Sequence, residues 1–177
     1  MRKDFLHTAE QSLRMSATVY VLNGPNLNLL GIREPHIYGS TTLAQVEQVC
    51  RRVAAELGLR CDFRQTNHEG VMVDWVQEAR EKAAAVAINP AGLSFRSIPL
   101  LDALKTLEQP VAEVHMSNIH RRDELYRHSL VSLAATGVIC GFGAFGYELA
   151  LRALAQRLAV APPAQPRILR HDPQETP

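Results

Sequence analysis

Two side chains in the loop that follows the first predicted strand could form a general base. Arg33 and Tyr38 lie five residues apart in the segment from Asn28 to Gly39. A phenol is a poor base at neutral pH because its reference pKa is about 10. A nearby guanidinium stabilises the phenolate and lowers that value, so the pair predicts a tyrosine that abstracts a proton. The structural alternative is that Arg33 pairs with Glu34 at the surface while Tyr38 packs its ring, and spacing alone leaves both open.

The loop begins where a buried strand is predicted to end. Val19–Leu22 is an apolar run with β-branched and aromatic members, which is typical of a buried parallel strand. Asn23–Asn26 then supplies Gly, Pro and two amide side chains. Ligands of open α/β sheets bind outside the C-terminal ends of the strands. We therefore expect Asn23 and Asn26 at the ligand-binding edge.

The rest of the chain alternates between the two kinds of element. Ser40–Thr42 supplies N-cap candidates for a helix in which Leu43, Val46, Val49, Val53 and Leu57 recur at helical spacing before Gly58. Further strands are predicted at Leu59–Arg64, Ala84–Ile88, Val111–Val114 and Gly137–Cys140, and further helices at Val71–Lys82, Ile98–Leu107, Arg121–His128 and Phe145–Leu158. The last helix offers Leu149, Leu151, Ala153, Leu154 and Leu158 for burial.

Five strands that alternate with helices predict an α/β fold, with a parallel sheet covered on both faces. The flavodoxin-like doubly wound order 2-1-3-4-5 is the expected arrangement for five strands. In this order strands one and three are neighbours, so Asn23, Asn26 and Asn89 converge and His115 follows from strand four. This convergence favours the catalytic interpretation of the Arg33–Tyr38 pair.

Length and composition predict one domain without an evident charged partner. The 177 residues divide into an N-terminal extension (1–16), one α/β catalytic domain (17–160) and a Pro-rich tail (161–177). A net charge of +1 signals no attraction to nucleic acid or membrane surfaces. Three cysteines without C-x-x-C spacing fit reduced thiols in the cytoplasm better than disulfides or zinc. No apolar run approaches the ~20 residues of a membrane span.

A glycine motif and a group of histidines could each indicate a ligand site, for a nucleotide and for a metal, but neither has the spacing that such a site needs. Gly141–Gly146 matches G-x-G-x-x-G, but the acidic residue that a dinucleotide site needs about 20 positions later would fall in the Pro-rich tail. Tight packing of a strand against a helix explains these glycines better. His115, His120 and His128 lack the spacing of metal ligands. We therefore expect neither a nucleotide nor a metal.

Several stretches carry a specific family resemblance. In chain order they are Leu22–Gly31, Arg33–Pro35, Tyr38–Gly39, Arg64–Gln65, Asn67–Gly70, Glu113–His115, Ser117–His120 and Gly137–Gly143. They are similar in order and spacing to type II 3-dehydroquinate dehydratases, and the resemblance runs from about Val19 to Leu158.

The resemblance implies a dehydration without cofactor or metal in the shikimate or quinate pathway. Members of the family convert 3-dehydroquinate to 3-dehydroshikimate through an enolate intermediate. By resemblance, Tyr38 is the base and Arg33 activates it. Asn26 places a water on the enolate oxygen. His115 protonates the leaving hydroxyl, and Glu113 is its neighbouring carboxylate.

The resemblance also implies the substrate contacts and the assembly. Asn89 matches a substrate-binding amide, and Met116 and Ser117 match the segment that holds the substrate carboxylate. Asp102 matches an acidic residue that reaches in from a neighbouring subunit. The expected homo-oligomer is a dodecamer, built as a tetramer of trimers.

Three positions depart from the family pattern. Phe95 and Tyr126 stand where a His and an Arg bind ring hydroxyls, and Leu101 replaces an Arg before Asp102. One interpretation is a paralogue that dehydrates a related cyclic keto acid with altered hydroxyl recognition. Another is drift, compensated by Arg96 or Arg127. A ligand-binding relative without turnover is a third, although retention of the acid and base residues argues against it.

Overall fold

The computed structural model describes residues 17–32 and 40–159. The predicted N-terminal extension, the Pro-rich tail, and Arg33 and Tyr38 lie outside the described residues. The predictions made for those segments are therefore not addressed by the fold.

The sheet has the predicted topology. Five parallel strands stand in the order β2-β1-β3-β4-β5, which confirms the doubly wound arrangement. Because β1 and β3 pair at the centre, the switch point lies between the strands that end in Asn23 and Asn89. The strands are β1 Thr18–Asn23, β2 Arg60–Gln65, β3 Ala85–Asn89, β4 Val111–His115 and β5 Gly137–Cys140.

In the described part of the chain, four α-helices cover the two faces of the sheet: α1 Leu43–Glu56, α2 Glu69–Lys82, α3 Ile98–Leu104 and α4 Phe145–Ala159. Alternate residues of β1 point to opposite faces, as the pleat requires. Val19 and Val21 belong to the apolar cluster formed with α1 and α4. Tyr20 and Leu22 belong to the cluster formed with α2 and α3. Strand β1 therefore packs against apolar clusters on both faces of the sheet, which explains its uninterrupted apolar sequence.

Local sequence explains where α1 begins. Thr42 is its N-cap, and the Thr42 hydroxyl accepts a hydrogen bond from the backbone N–H of Gln45. The Gln45 side chain accepts one in return from the backbone N–H of Thr42, 2.8 Å away. This reciprocal capping box confirms the N-cap predicted within Ser40–Thr42.

Three predicted helices have different limits in the structure. The second begins at Glu69 rather than Val71, because an acidic residue in the first turn suits the positive end of a helix. The third ends at Leu104 instead of Leu107. The helix predicted over Arg121–His128 is wrong: Arg122 has extended backbone (φ −89°, ψ 178°) between two short 3₁₀ turns. Those turns span Ile119–Arg121 and Glu124–Tyr126.

The backbones of β1 and β3 meet closely where both strands end. The N–H of Gly24 donates to the carbonyl of Asn89 over 2.8 Å. A Cβ atom at position 24 would lie 2.3 Å from the carbonyl oxygen of Pro90. Only glycine fits such an approach, so Gly24 allows the two loops to run side by side.

Tyr147 of α4 ties these two strand ends together. Its hydroxyl donates to Asn23 Oδ1 (2.7 Å) and accepts from Asn89 Nδ2 (2.8 Å). Burial raises the pKa of the Tyr147 phenol, which therefore keeps its proton and can donate. The Asn23 amide also donates to the carbonyl of Arg64 on β2 (2.9 Å), so one buried network spans three strands and a helix.

The buried face of α4 differs in part from the predicted one. Leu151 and Leu154 are buried as predicted, but Ala153 and Leu158 are exposed. Tyr147, absent from the predicted set, is among the largest fully buried side chains. The helix is apolar on too many sides for its sequence to distinguish the face that contacts the sheet.

We predict that Tyr147→Phe lowers the free energy of unfolding by about 1–3 kcal/mol, because it leaves two buried amides without their partner. The measurement is the urea unfolding midpoint of each variant. Tyr20→Phe is the matched control: it also removes one hydroxyl, but that hydroxyl bonds the partly exposed Glu78, where water can replace it. Equal losses in the two variants would contradict the role of the buried network.

Candidate active site

A cavity of about 270 Å³ opens at the C-terminal edge of β1, β3 and β4. It lies at the switch point, where open α/β sheets bind ligands. Five of the predicted site residues line it: Asn26, Asn89, His115, Met116 and Ser117. The strand order thus brings together side chains that lie up to ninety-one positions apart, 117 − 26, in the sequence.

Asn26 lines the cavity from a left-handed backbone conformation (φ 67°, ψ 0°). Its backbone N–H donates to Asn67 Oδ1 over 2.9 Å, and the same oxygen accepts from Gln65 Nε2 over 3.0 Å. Asn26 is the N-cap of a short 3₁₀ turn, but its side chain makes no capping hydrogen bond. Backbone contacts therefore fix the residue without using its amide as a cap.

Asn89 forms part of the cavity wall, and both ends of its amide are engaged within the protein. Nδ2 donates to Tyr147, and Oδ1 accepts from the backbone N–H of Ala91 over 3.3 Å. The side chain is 3% exposed. The geometry shows a residue that shapes the cavity, and its predicted role as a substrate-binding amide stays a prediction.

Glu113 and His115 form a buried pair on β4. Nε2 of His115 lies 2.7 Å from Oε1 of Glu113, whose side chain is fully buried. The hydroxyls of Ser129 and Ser132 also donate to this carboxylate. Burial raises the pKa of Glu113, but the hydrogen bonds from His115 and the two serines outweigh it and leave that pKa lowered. The carboxyl group is therefore ionised at neutral pH.

An ionised carboxylate accepts hydrogen bonds and cannot donate them. The proton shared between Glu113 and His115 is therefore carried by Nε2 of the imidazole. Nδ1 is the ring nitrogen that is not engaged with Glu113, and the ring itself lines the cavity. The pair links a buried negative charge to a group that can exchange a proton at the cavity surface.

Aromatic rings cover the side of the cavity next to His115. Phe95 stacks on the His115 ring with centroids 6.4 Å apart, and it meets the ring of Tyr126 edge-on at 5.3 Å. The guanidinium of Arg122 lies 4.3 Å from the centroid of the Tyr126 ring, a cation–π contact. Phe95, Tyr126 and Arg122 all line the cavity.

Arg122 is the arginine that sequence reasoning missed. Among the described residues it is the one arginine in the cavity wall. The two arginines proposed to compensate for Phe95 and Tyr126 lie elsewhere: Arg96 and Arg127 are exposed and outside the cavity lining. Arg127 donates from Nε to the backbone carbonyl of Arg122 (2.7 Å). The helix wrongly predicted over this segment concealed the position of Arg122.

Among the described residues, Asp102 is likewise not brought to this cavity within one chain. Asp102 is exposed on α3, outside the cavity lining. Arg33 and Tyr38 fall outside the described residues. The predictions for these three side chains, including the contribution of Asp102 to a neighbouring subunit, stay predictions.

The glycine-rich segment that follows β5 supports the end of β4. The backbone N–H of Gly141 donates to the carbonyl of His115 (3.1 Å), and that of Gly143 donates to the carbonyl of Met116 (2.9 Å). A Cβ atom on buried Gly146 would lie 3.4 Å from Val114. These contacts support the packing interpretation of the G-x-G-x-x-G pattern, because two of its amides are used to position the cavity wall.

No three His, Cys, Asp or Glu side chains in residues 17–32 and 40–159 are arranged to hold a metal ion. Within the same residues, no helix has both the length and the apolar composition needed to cross a bilayer.

Known proteins share both the sequence and the fold. A 3-dehydroquinate dehydratase of Brucella canis is 59% identical over 141 residues, which cover 80% of this chain and 90% of the relative. One from Mesorhizobium japonicum is 57% identical over 142 residues, which cover 80% and 99% of the two chains. The crystal structure of a type II dehydroquinase from Propionibacterium acnes matches with a TM-score of 0.78 and 47% identity, covering 80% of this chain and 98% of that one.

The match extends across the described fold. The family model "Dehydroquinase class II" covers residues 17–155, from the first residue before β1 into the last helix. Both strands that meet at the switch point and the buried Glu113–His115 pair lie within the matched residues. The chain therefore belongs to the class II dehydroquinase family.

Proposed function

We propose that this protein is a 3-dehydroquinate dehydratase, a hydro-lyase that converts 3-dehydroquinate to 3-dehydroshikimate. The observation that carries the proposal is the buried Glu113–His115 pair at the edge of the switch-point cavity. Curated relatives with 57–59% identity bear the name of this enzyme. The product would enter the shikimate pathway or serve quinate catabolism, in the cytoplasm.

The first step is the removal of a proton α to the ketone. Tyr38 acts as the base, and the Arg33 guanidinium favours its phenolate form. The C–H electron pair moves into the carbonyl to give an enolate. Asn26 holds a water on the developing oxygen charge, which lowers the energy of the transition state. The cavity position of Asn26 supports this role.

The second step expels the β-hydroxyl. The enolate oxygen re-forms the C=O bond, the enolate C=C electron pair makes the new C=C bond, and the C–O bond to the β-hydroxyl breaks. His115 protonates the leaving oxygen so that it departs as water. Ionised Glu113 stabilises the imidazolium before the transfer. Met116 and Ser117, next along the chain, hold the substrate carboxylate. Acid–base groups of the chain supply every step, so the scheme uses no cofactor.

We predict that Tyr38→Phe abolishes turnover while the fold is retained, because only the titrating oxygen is removed.

Arg33→Ala moves the pH optimum upward, because the phenolate loses its cation and the pKa of the phenol rises. The measurement is the appearance of enone absorbance from 3-dehydroquinate as a function of pH. Tyr20→Phe, which changes a tyrosine outside the cavity lining, is the control and keeps its activity. More than a few per cent of activity in Tyr38→Phe would show that another group is the base.

A paralogue with a different cyclic keto acid as substrate is the second candidate, and the aromatic wall favours it. Phe95 and Tyr126 contact each other and cover the side of the cavity beside His115. A substrate hydroxyl that faces these rings would lose water without gaining a charged partner. Arg122 lines the same cavity, where its guanidinium lies against the Tyr126 ring.

The rate on 3-dehydroquinate distinguishes these two substrates. A hydrogen bond to a charged group contributes about 1.5–3 kcal/mol, so each lost contact lowers kcat/KM by about ten- to a hundred-fold. If the paralogue hypothesis holds, Phe95→His with Tyr126→Arg raises this value by more than the separate changes combined, because the two rings touch. An ordinary wild-type rate on 3-dehydroquinate, with a neutral or harmful double change, would refute it. The same enone assay separates an enzyme from a binding relative without turnover.

We further propose a dodecamer, a tetramer of trimers, in which Asp102 reaches the site of a neighbouring subunit. Exposure of Asp102 and of several large apolar side chains supports an interface. The exposed apolar residues include Leu133, Phe142 and Phe145, which are 72%, 61% and 54% exposed. We expect light scattering to give a mass about twelve times the 19.6 kDa of the chain. A stable monomer would refute both the assembly and the shared site.

A further inference from the structure

Two serine hydroxyls meet the carboxylate of Glu113, and the proposed chemistry gives them no role. Ser129 donates to Oε1, the oxygen that also accepts from His115, and Ser132 donates to Oε2. Neither serine lines the cavity. They therefore act on the carboxylate from the protein side, away from any bound ligand.

The segment that carries the serines is anchored on both sides. Val131 lies between them and is completely buried in the cluster of α2 and α3. The backbone N–H of Leu130 donates to the carbonyl of Ser94 over 2.7 Å. After the 3₁₀ turn Val131–Leu133, the N–H of Thr136 donates to the carbonyl of Val111 over 2.7 Å. These contacts fix the two hydroxyls relative to β4.

The arrangement of donors favours the anion. Each oxygen of Glu113 accepts at least one hydrogen bond, and a protonated carboxyl would turn one of these acceptors into a donor. The new O–H would then face a serine hydroxyl or an imidazole N–H that is already donating to the same oxygen, so two donors would oppose each other. The serine hydroxyl on the protonated oxygen would have to rotate away, so the site as built is matched to the charged form.

His115 is the titratable group in direct contact with Glu113. On the neighbouring strands, Ile88 and Val138 stand in register with Glu113. The other charged side chains of the packed elements are exposed or paired with each other, and the buried Tyr147 phenol of α4 bonds Asn23 and Asn89. Arg127 and His128 on the serine segment and Asp102 and Lys105 on α3 are exposed, and Glu148 on α4 pairs with Arg152. The two serines and His115 thus account for the hydrogen bonds to the carboxylate within the described residues.

We infer that Ser129 and Ser132 are positioning residues that keep Glu113 ionised and aligned with His115, so that His115 can deliver its proton to the leaving hydroxyl. The inference rests on the proposed dehydratase function for its catalytic part. Its structural part, the effect of the serines on Glu113, stands on the hydrogen bonds alone.

The first test measures the pH dependence of Ser129→Ala, Ser132→Ala and the double variant on 3-dehydroquinate. Loss of a hydroxyl removes a hydrogen bond that favours the anion, so the pKa of Glu113 rises toward its ordinary value. Activity that needs ionised Glu113 is then lost at a higher pH on acidification. We expect the acid limb of kcat to move up by about one to two pH units per serine. At the optimum, kcat should fall about tenfold while KM changes less than about twofold.

The second test does not depend on turnover. Infrared spectra of the protein isotopically labelled at glutamate, taken across pH, follow protonation of Glu113, whose band is assigned from its absence in Glu113→Gln. Protonation should occur at higher pH in each alanine variant and return toward the wild-type pH in Ser129→Thr and Ser132→Thr, which keep the hydroxyl. Ser97→Ala is the matched control: it deletes a buried serine hydroxyl that caps α3, so it costs stability without moving either profile.

The outcomes separate the inference from the proposed function. Unchanged infrared titration in the double alanine variant would overturn the inference, whatever the activity. A shifted infrared titration with a uniform fall in kcat and no movement of the acid limb would overturn the catalytic part, because the serines would then keep Glu113 ionised without affecting proton delivery by His115. If the wild-type protein does not dehydrate 3-dehydroquinate, the proposed function fails. The infrared titration alone then decides whether the serines keep Glu113 ionised.

Discussion

The close approach of β1 and β3 at the switch point is the constraint on which the rest of the site depends. The carbonyl oxygen of Pro90 lies where a Cβ atom at position 24 would be. The loop after β1 can therefore approach the end of β3 this closely only because residue 24 is glycine. Tyr147 then fixes the two strand ends by bonding Asn23 and Asn89. The cavity wall is therefore set by buried hydrogen bonds and does not rely on a ligand to form. Such preorganisation is what acid–base catalysis requires, because no free energy is spent on reorganising the site during the reaction.

A second consequence of this architecture is the burial of a full negative charge beside the cavity. An isolated carboxylate with no exposed surface would protonate, whereas Glu113 is matched by three donors, which are His115 on β4 and the two serines Ser129 and Ser132. The charge fixes which nitrogen of His115 carries the shared proton. Phe95 stacks on the face of the same imidazole ring. A carboxylate at the ring edge and an aromatic ring on its face therefore hold the imidazole of His115 in place at the cavity wall.

The sequence predicted the features that local pattern determines. Strand β5 was predicted at its observed limits, Gly137–Cys140, because small and β-branched residues lie between clear breaks. The convergence of Asn26, Asn89 and His115 followed from strand order alone. Tyr147 and the serines were missed because their partners lie 58, 124, 16 and 19 residues away, with no periodic signal to connect them. The segment around Arg122 was misread because two 3₁₀ turns and one helix have similar composition, and only the extended backbone at Arg122 separates them.

The left-handed backbone of Asn26 affects how any substitution there should be interpreted. Asparagine tolerates a φ of 67° better than most residues, whereas alanine at the same dihedral pays a steric cost. A loss of activity in Asn26→Ala would therefore combine the missing amide with a displaced turn. Asn26→Gly removes the amide and relaxes the dihedral, and Asn26→Asp keeps the shape while changing the charge. The kinetic contribution of this amide can be isolated only by comparing such variants, because most substitutions at position 26 remove the amide and also disfavour the positive φ that the loop requires.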